Sequence, residues 1–512
     1  MRRFGKILAS RISVFALVVI IELLLLMTLF LRLSSLSAYF LVLSSIINLI
    51  SIIAVVNKDS NPEYKLTWIC VIVLIPFLGT LLYLLYGKGY VTRSEERVIK
   101  EVREGLRLTM RSASQECSAS SLSPAVRGKT VAINSIDNLA RVYTSTESRY
   151  YSSGNDAYRA MLADIGCAER YIFLEYFIIE DGEMWRGIYD VLLKKARAGV
   201  EVRIIYDDVG CMTTLPLHFD KQLAREGISA MRFSKITPSL RYMRRNNSRD
   251  HRKLLVVDGR TAYTGGMNIA DEYIGLNMRL GVWRDSCVRV VGDAAEGFAA
   301  MFLELWCTAS RTVLDFTPYF NTGSRILGDG GYYLPFGSGP LPLYKKSASK
   351  RALLDIISTS ERYLYISTPY LIVDFDLTEA LVGAALRGVD VRVITPGVPD
   401  KPLVKLLTRG SYPALLDGGV KIYEYDPGFL HAKALVADDL YAMVGTVNLD
   451  YRSLVHHYED ALWMYSSRTA FDIREDLLSI ISESRHKDKE SVRAGTLSRI
   501  IRSTLRLFAP LF

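Results

Sequence analysis

The chain has few cysteines, and none is placed for a metal site or an evident disulfide framework. Its 512 residues contain no C-x-x-C pair and no cysteine with a companion histidine at metal-ligand spacing. This scatter argues against a zinc site, and the sequence predicts neither a metal nor another cofactor. Reduced thiols in a domain that faces the cytoplasm fit the pattern best. The six residues are Cys70, Cys117, Cys167, Cys211, Cys287 and Cys307.

A strong excess of one charge sign is also missing. The 63 lysines and arginines exceed the 54 acidic residues by a net charge of +9. Nucleic-acid binding and contact with anionic lipid both produce such an excess, so charge alone does not choose between them.

Charged residues are nearly absent from three apolar runs near the start, Val14–Leu31, Tyr39–Val56 and Leu66–Tyr86. Each run approaches the ~20 residues that cross a bilayer as a helix. The number of runs excludes a single cleaved signal peptide. Basic residues before the first run and after the third both favour the cytoplasm, which three full crossings cannot satisfy unless the amino-terminal charges do not decide the orientation. We expect the second and third runs to span, and leave the first open as interfacial or re-entrant.

Helical and β-strand patterns alternate after residue 134, which predicts an α/β fold with mixed sheets flanked by helices. Helices over 156–168 and 185–198 alternate with strands over 171–179 and 202–207. A second cycle begins near Ala348, with strands over 363–367 and 389–395, and indicates an internal duplication. The predicted organisation is a membrane region over 1–90 with two or three apolar helices, a basic juxtamembrane segment and Ser-rich linker over 91–133, two pseudo-symmetric halves over 134–325 and 326–490, and a basic amphipathic tail over 491–512.

The tail has two interpretations. Its apolar and arginine residues alternate at helical spacing, so it can rest on a membrane surface or pack as an ordinary terminal helix.

The same polar set occurs in both halves of the duplication. The first half contains His251, Lys253 and Asp258 in HRKLLVVD, followed by Asn268, and the second contains His431, Lys433 and Asp438 in HAKALVAD, followed by Asn448. From histidine to asparagine the spacing is seventeen residues in both halves. A lone histidine beside a strand is more often structural, but chance rarely places such a set twice. The other four histidines, His218, His456, His457 and His486, have no comparable setting.

This set suits phosphoryl chemistry. Strand alternation predicts that His and Lys of H-x-K face one side. Lysine, asparagine and the backbone N–H groups of the Gly-rich turn form a cradle for an anionic phosphoryl group. Two imidazoles on opposite sides of one phosphorus permit in-line displacement, in which one attacks and the other protonates the leaving oxygen. The two lysines supply the charge that a metal supplies elsewhere.

HxKxxxxD followed by G-[GST]-x-N, present twice, resembles the signature of the phospholipase D superfamily, and the resemblance runs from Tyr64 onward. The stretch NPEYKLTWICVIVLIPFLGTLLYLLYG is similar to the leader of bacterial cardiolipin synthases. Five other stretches resemble the same family: TGGMNIADEY, WRD, STPYLIVD, EYDPGFLHAK and GTVNLDYRS.

The resemblance implies a role for each motif residue. His251 is the implied nucleophile and His431 the acid/base, although the sequence leaves their order open. An acidic residue after each asparagine orients a histidine, at positions matched by Asp285 and Glu459. The implied catalytic set is His251, Lys253, Asp258, His431, Lys433 and Asp438, in which the two aspartates have a supporting role, and Asn268 and Asn448 contact the substrate phosphate. One departure is Asp250, where the family pattern has a neutral residue.

The implied reaction transfers a phosphatidyl group from one phosphatidylglycerol to another, giving cardiolipin and glycerol through a phosphohistidine. The implied partners are phosphatidylglycerol and membrane lipid, without nucleic acid. We expect a multi-pass protein of the bacterial inner membrane with a cytoplasmic catalytic domain. Alternatives are a phospholipase D-type hydrolase, a phosphatidyltransferase with another alcohol acceptor, a nuclease and a scaffold with a dead site. Membrane runs argue against the nuclease, and two intact motifs argue against the scaffold.

Overall fold

The computed structural model describes residues 37–87, 92–113, 122–237, 247–320, 327–340, 343–493 and 495–511, together with Leu24, Met27, Thr28 and Leu31. Helix α1 (Ser37–Asn57) contains the second apolar run. Helix α2 (Pro62–Leu74) follows, the chain reverses, and the short helix α3 (Leu78–Leu82) ends in a π-helical turn. The leader is therefore a set of packed helices of unequal length.

The third apolar run is not the continuous span that the sequence predicts. It breaks after Leu74 because Pro76 cannot continue the helix and Phe77 adopts a left-handed φ of 64°. Gly79 permits the close return of the chain, since a Cβ there would lie 2.3 Å from the Val71 carbonyl oxygen. Among the residues placed by the structure, no helix is both long and apolar enough to cross a bilayer. The predicted first run, 14–31, lies outside the described residues except for the four named above.

The leader has a small core and an apolar outer surface. Its buried side chains are Val55, Tyr64, Trp68, Ile72 and Tyr83. Large apolar side chains on α1 and α2 remain exposed, and such a contiguous patch is typical of a surface that contacts lipid or protein. They are Val42, Leu43, Ile46, Leu49, Ile50, Ile53, Leu66, Val73 and Leu74.

Two helices connect the leader to the first half. Helix α4 (Arg93–Ala113) buries one apolar stripe and is charged elsewhere, and its Arg103 forms an ion pair with the fully buried Glu304. Helix α5 (Pro124–Asn134) begins within the segment predicted as linker. The serine-rich residues 114–121 lie outside the described residues.

The first half forms a seven-stranded sheet in the order β1-β7-β6-β5-β2-β3-β4. Strands β2, β3 and β4 are parallel, and the remaining pairs are antiparallel. The strands are β1 (Thr146–Tyr151), β2 (Tyr171–Tyr176), β3 (Glu201–Asp207), β4 (Ser229–Phe233), β5 (Lys253–Val257), β6 (Thr261–Gly265) and β7 (Cys287–Gly292). Its helices are α6 (Gly154–Gly166), α7 (Glu183–Arg197), α8 (Phe219–Arg225) and α9 (Ala294–Ser310).

The second half repeats this order and adds one edge strand, giving β8-β14-β13-β12-β9-β10-β11-β15. Its strands are β8 (Tyr332–Ser338), β9 (Tyr363–Ser367), β10 (Asp390–Pro396), β11 (Lys421–Tyr425), β12 (Ala434–Ala437), β13 (Tyr441–Gly445), β14 (Glu459–Tyr465) and β15 (Ser484–Lys487). Its helices are α10 (Ala348–Thr359), α11 (Phe375–Leu386), α12 (Pro402–Asp417), α13 (Thr469–Ser482) and α14 (Thr496–Phe508). The predicted α/β fold with duplicated halves is confirmed, whereas the domain bounds remain predictions.

One hydrophobic core joins the two sheets. Helix α9 is buried along almost its whole length, and Phe302 stacks on Phe173 of β2 with ring centroids 4.3 Å apart. The same cluster includes Val444 of β13 and Leu462 of β14. The two halves therefore pack as one body, and the segments that carry the motifs meet between them.

Helix α14 packs on the protein, although Ile500 and Ile501 remain exposed. The Thr67 hydroxyl of α2 donates to the Leu507 carbonyl at 2.8 Å. After α14, Ala509 is buried, and the Pro510 carbonyl lies 3.0 Å from Nε2 of His456. The tail thus links the leader to the second half.

The motif aspartates anchor strands. Asp258 accepts the backbone N–H groups of Glu169, Arg170 and Tyr171, each at 2.8 Å, at the start of β2. Asp438 accepts the corresponding three N–H groups at the start of β9, at 2.7 to 2.9 Å. Both aspartates have a left-handed φ, 55° and 58°. Their supporting role is therefore to hold the strand next to the motif strand.

We predict that Asp258→Asn lowers the free energy of unfolding by about 2 kcal/mol, because an amide presents donors where three backbone donors need an acceptor. Chemical unfolding followed by circular dichroism in detergent measures the loss. The folded fraction should keep kcat within about threefold, and a much larger loss of kcat at unchanged stability contradicts the structural role. The control is Asp181→Asn, which alters an exposed pair with Arg186.

Candidate active site

The two motif histidines precede strands and pair with the opposite half. The His251 backbone N–H donates to the Tyr458 carbonyl at 2.9 Å, and the His431 N–H donates to the Arg284 carbonyl at 2.7 Å. Strand β5 begins only at Lys253, and β12 begins after Lys433. The expectation that His and Lys lie within one strand is thus corrected, because inter-half pairing holds each histidine in an extended segment before its strand.

Each histidine is also paired with a carboxylate of the opposite half. Nδ1 of His251 lies 2.9 Å and 3.0 Å from the two carboxylate oxygens of Glu459. Nδ1 of His431 lies 2.7 Å from Oδ2 of Asp285. With Nδ1–H donating to the carboxylate, each Nε2 keeps a lone pair for chemistry in the pocket. The structure therefore places both predicted acidic residues on the histidines, in a crossed arrangement.

The residues that follow β6 and β13 are each matched to the carboxylate that contacts a histidine. A Cβ at Gly266 would lie 1.9 Å from Oδ1 of Asp285, so only glycine leaves room for this short side chain beside His431. The equivalent position in the second half is Thr446, whose hydroxyl donates to the longer Glu459. The two halves thus orient their histidines with different side-chain pairs.

The two lysines are buried beside the histidines and reach back to them. Nζ of Lys253 donates to the His251 carbonyl at 2.5 Å, and Nζ of Lys433 donates to the His431 carbonyl. Burial lowers the pKa of Lys253 to about 8 and that of Lys433 to about 7. Nearby carboxylates oppose the shift without cancelling it. An anion that binds beside the lysines would therefore stabilise their charged form.

Burial also lowers the pKa values of the two motif histidines. It lowers the pKa of His251 well below its ordinary value, and the charge of Lys253 adds to this effect. Burial and Lys433 lower the pKa of His431 to about 4, although Asp285 opposes the shift. Burial raises the pKa of Glu459 to about 8. Uncharged imidazoles consequently prevail at neutral pH before an anion binds.

The motif asparagines lie in the same pocket with different partners. Asn268 accepts from the Ile178 N–H at 3.1 Å and donates to the Tyr273 hydroxyl at 2.7 Å. Asn448 donates to Asp450 at 3.3 Å, and its Oδ1 has no hydrogen-bond partner within the described part of the chain.

A pocket of about 470 Å³ lies between the halves and includes both histidines and both asparagines in its wall. Aromatic side chains surround the imidazoles. Tyr273, Trp283 and Phe429 lie around His431, and Phe177 lies 5.1 Å from His251 between ring centroids. Tyr273, Trp283 and Phe429 lie in stretches that resemble the family, but the sequence predicts no role for them or for Phe177.

The repeated motifs predict no role for His457. It is buried, it lines the pocket, and its ring centroid lies 5.4 Å from that of His251. Its position two residues before Glu459 was the available signal. With His251 and Glu459 it is the candidate group of metal ligands among the described residues, with ligand atoms within 4.8 Å of one another.

Asp250 does not line this pocket but is fully buried behind it. Its backbone N–H donates to Asp207 at 3.1 Å. Burial, helped by the charge of Asp207, raises the pKa of Asp250 to about 7, whereas Arg252 opposes the rise. The departure from the family pattern therefore falls in the charged network that supports the segment of His251.

Sequence comparison identifies similar proteins along most of the chain. The family described as cardiolipin synthase, PLD-like domain matches residues 161–306 and 353–481, and the phospholipase D-nuclease N-terminal family matches 46–88. A Streptococcus mutans protein is 38% identical over 90% of this chain and 99% of its own. Cardiolipin synthase 2 of Bacillus cereus is 32% identical over 89% of this chain and 88% of its own. A cardiolipin synthase of Staphylococcus aureus is 33% identical over 85% and 88%.

The fold comparison agrees with the sequence comparison. The crystal structure of phosphatidylserine synthase from Haemophilus influenzae superposes with a TM-score of 0.56 over 75% of this chain and 98% of that chain, at 13% identity. This likeness concerns the fold alone. Two family segments, relatives above 30% identity over nearly the whole chain and the paired histidine motifs together show that the chain belongs to the cardiolipin synthase family of phospholipase D-like proteins.

Proposed function

We propose that the protein is a cardiolipin synthase, which transfers a phosphatidyl group from one phosphatidylglycerol to a second and releases glycerol. The observation that carries the proposal is the pair of crossed His–carboxylate hydrogen bonds at 2.7 to 3.0 Å, which presents two imidazoles to one pocket. Membership of the cardiolipin synthase family supports the choice of substrates.

In the proposed first step, Nε2 of His251 attacks phosphorus, a P–N bond forms, and the bond from phosphorus to the glycerol oxygen breaks. His431 gives its proton to that oxygen, and glycerol leaves. Lys253 and Lys433 stabilise the charge that gathers on the phosphoryl oxygens. An anion between the lysines also raises the pKa of His431, which favours its acid form once substrate is bound.

The second step reverses the first with a new alcohol. His431 accepts the proton of a hydroxyl of the second phosphatidylglycerol, the oxygen attacks phosphorus, and the P–N bond breaks. Cardiolipin leaves, and His251 is restored. The energy of the phosphodiester is conserved in the intermediate, so the proposed cycle uses no nucleotide.

We further propose that the protein works at the cytoplasmic face of the bacterial inner membrane. The exposed apolar side chains of α1 and α2 support contact with lipid. The described cysteines are all free, which fits a reducing compartment. The number of crossings stays a prediction.

The reaction itself gives the first test. We predict that purified protein supplied with phosphatidylglycerol alone, in EDTA and without nucleotide, yields cardiolipin and glycerol in equal amounts, because the lysines carry the phosphoryl charge. Mass spectrometry of lipids and released alcohol measures both products. Phosphatidic acid with glycerol indicates the hydrolase instead, and an absolute need for a divalent ion or a CDP-lipid contradicts the proposal.

The two histidines are separable by leaving group. We predict that His431→Ala still accepts a phosphatidyl group from a substrate whose leaving alcohol has a low pKa, because such an alcohol needs no proton, whereas His251→Ala does not. Trapping of the labelled phosphatidyl-enzyme after rapid quench measures this step. Labelling of His251→Ala but not of His431→Ala would reverse the roles.

The lysines predict the alkaline limb of activity. Their pKa values are lowered, to about 8 for Lys253 and about 7 for Lys433, so both side chains lose their positive charge in the free enzyme as pH rises through 7 to 8. We expect kcat/KM for phosphatidylglycerol to fall across this range, because it reports the free enzyme. We expect kcat to fall only at higher pH, because the bound phosphate raises the pKa values of the lysines and keeps them protonated. Initial rates in mixed micelles between about pH 6 and 9 test this, and a kcat/KM that stays level to pH 9 contradicts it.

A further inference from the structure

The pocket contains a second basic position that the proposed cycle does not use. Arg452 lines the pocket, and its side chain is exposed to solvent. Within the described ranges, its guanidinium forms no ion pair and donates no hydrogen bond to the protein. Two charged residues act on the guanidinium of Arg452: Asp450 attracts it, and Arg249 repels it. An exposed guanidinium at the pocket wall without a bonded counterion can donate two hydrogen bonds to an anion that enters the pocket.

His457 lies next to Arg452 and is a buried group without side-chain hydrogen-bond partners in the described part of the chain. Its side chain is buried, and neither ring nitrogen has a hydrogen-bond partner among the described residues. Nδ1 lies 3.8 Å from Oε1 of Glu459, beyond hydrogen-bond distance. A buried imidazole without partners costs free energy unless a ligand supplies one. The backbone N–H of His457 donates to the Arg452 carbonyl at 2.7 Å, so the two residues are held together.

The other half has the opposite charge at the equivalent position. Arg452 lies four residues after Asn448, and Glu272 lies four residues after Asn268. Both line the pocket. The histidines and lysines are the same in both halves, but the charge at this position is not. The pocket wall is therefore basic on the side of the second half and acidic on the side of the first half.

The proposed reaction involves one phosphate for which the cycle above names no binding residues. Lys253 and Lys433 serve the phosphorus that reacts, but the acceptor phosphatidylglycerol brings its own phosphodiester, which stays intact. We propose that Arg452 and His457 form the subsite for this second phosphodiester and so select an anionic lipid as the acceptor. This inference rests on the proposed function and names the residues that set its acceptor preference.

The surrounding wall favours a lipid as the source of this phosphate. Apolar side chains from the segment before α11 and from α12 line the same pocket, namely Ile372, Leu403, Val404 and Leu407. Acyl chains gain free energy on such a surface, whereas a free phosphate ion gains nothing from it.

The test separates two acceptors of one phosphatidyl-enzyme. Labelled glycerol exchanges into phosphatidylglycerol by reversing the first step, and this acceptor carries no phosphate. Cardiolipin formation uses the acceptor that does. We expect Arg452→Gln to lower cardiolipin formation about 10- to 100-fold, the value of a lost charge-assisted bond, and to change glycerol exchange less than about threefold.

The companion variants are His457→Phe and Arg351→Gln. His457→Phe keeps an aromatic ring without nitrogens and should lower cardiolipin formation, with partial recovery in His457→Asn. Arg351 of α10 is exposed, pairs with Asp355 at 3.7 Å, does not line the pocket, and serves as the matched arginine control.

An equal loss of both reactions in Arg452→Gln, or a loss of neither, would overturn the subsite. Failure of the proposed function itself is seen elsewhere, in the wild-type protein, as glycerol exchange or hydrolysis without any cardiolipin.

Discussion

The hydrogen bonds between His251 and Glu459 and between His431 and Asp285 connect the two halves at the place where the chemistry is proposed to occur. Each fixes one imidazole, and each takes one residue from either half. The rest of the fold serves this geometry. The common core around α9 holds the sheets together, and the backbone pairings of His251 with Tyr458 and of His431 with Arg284 set the approach of the segments.

Burial gives these groups their chemistry at a cost in stability. Two lysines, two carboxylates and three histidines lie within one enclosed region, and burial lowers the pKa values of the lysines and histidines. In water the same side chains would be ordinary surface groups. The surrounding structure must therefore offset their desolvation, and the three backbone N–H bonds to each motif aspartate are one such stabilising element.

Much of this arrangement is predictable because strand patterns and repeated motifs are local in sequence. The strand Tyr363–Ser367 has its predicted bounds, and both acidic partners were named. Two features depended on contacts distant in sequence. The crossing of Glu459 to His251 requires knowing how the halves face each other, and the position of His457 in the pocket wall requires the folded chain. The break in the third apolar run had a local signal, Pro76, which hydropathy does not report.

The pairing of Gly266 with Asp285 and of Thr446 with Glu459 has an evolutionary consequence. Glycine leaves space for a short carboxylate, and threonine contacts a long one. Exchange at either position alone breaks the fit, since a methyl group at 266 would displace the Asp285 carboxylate from its histidine. Among relatives, positions 266 and 285 should therefore covary, and so should 446 and 459. The two duplicated motifs in this structure are therefore two different matched sets, glycine with aspartate and threonine with glutamate.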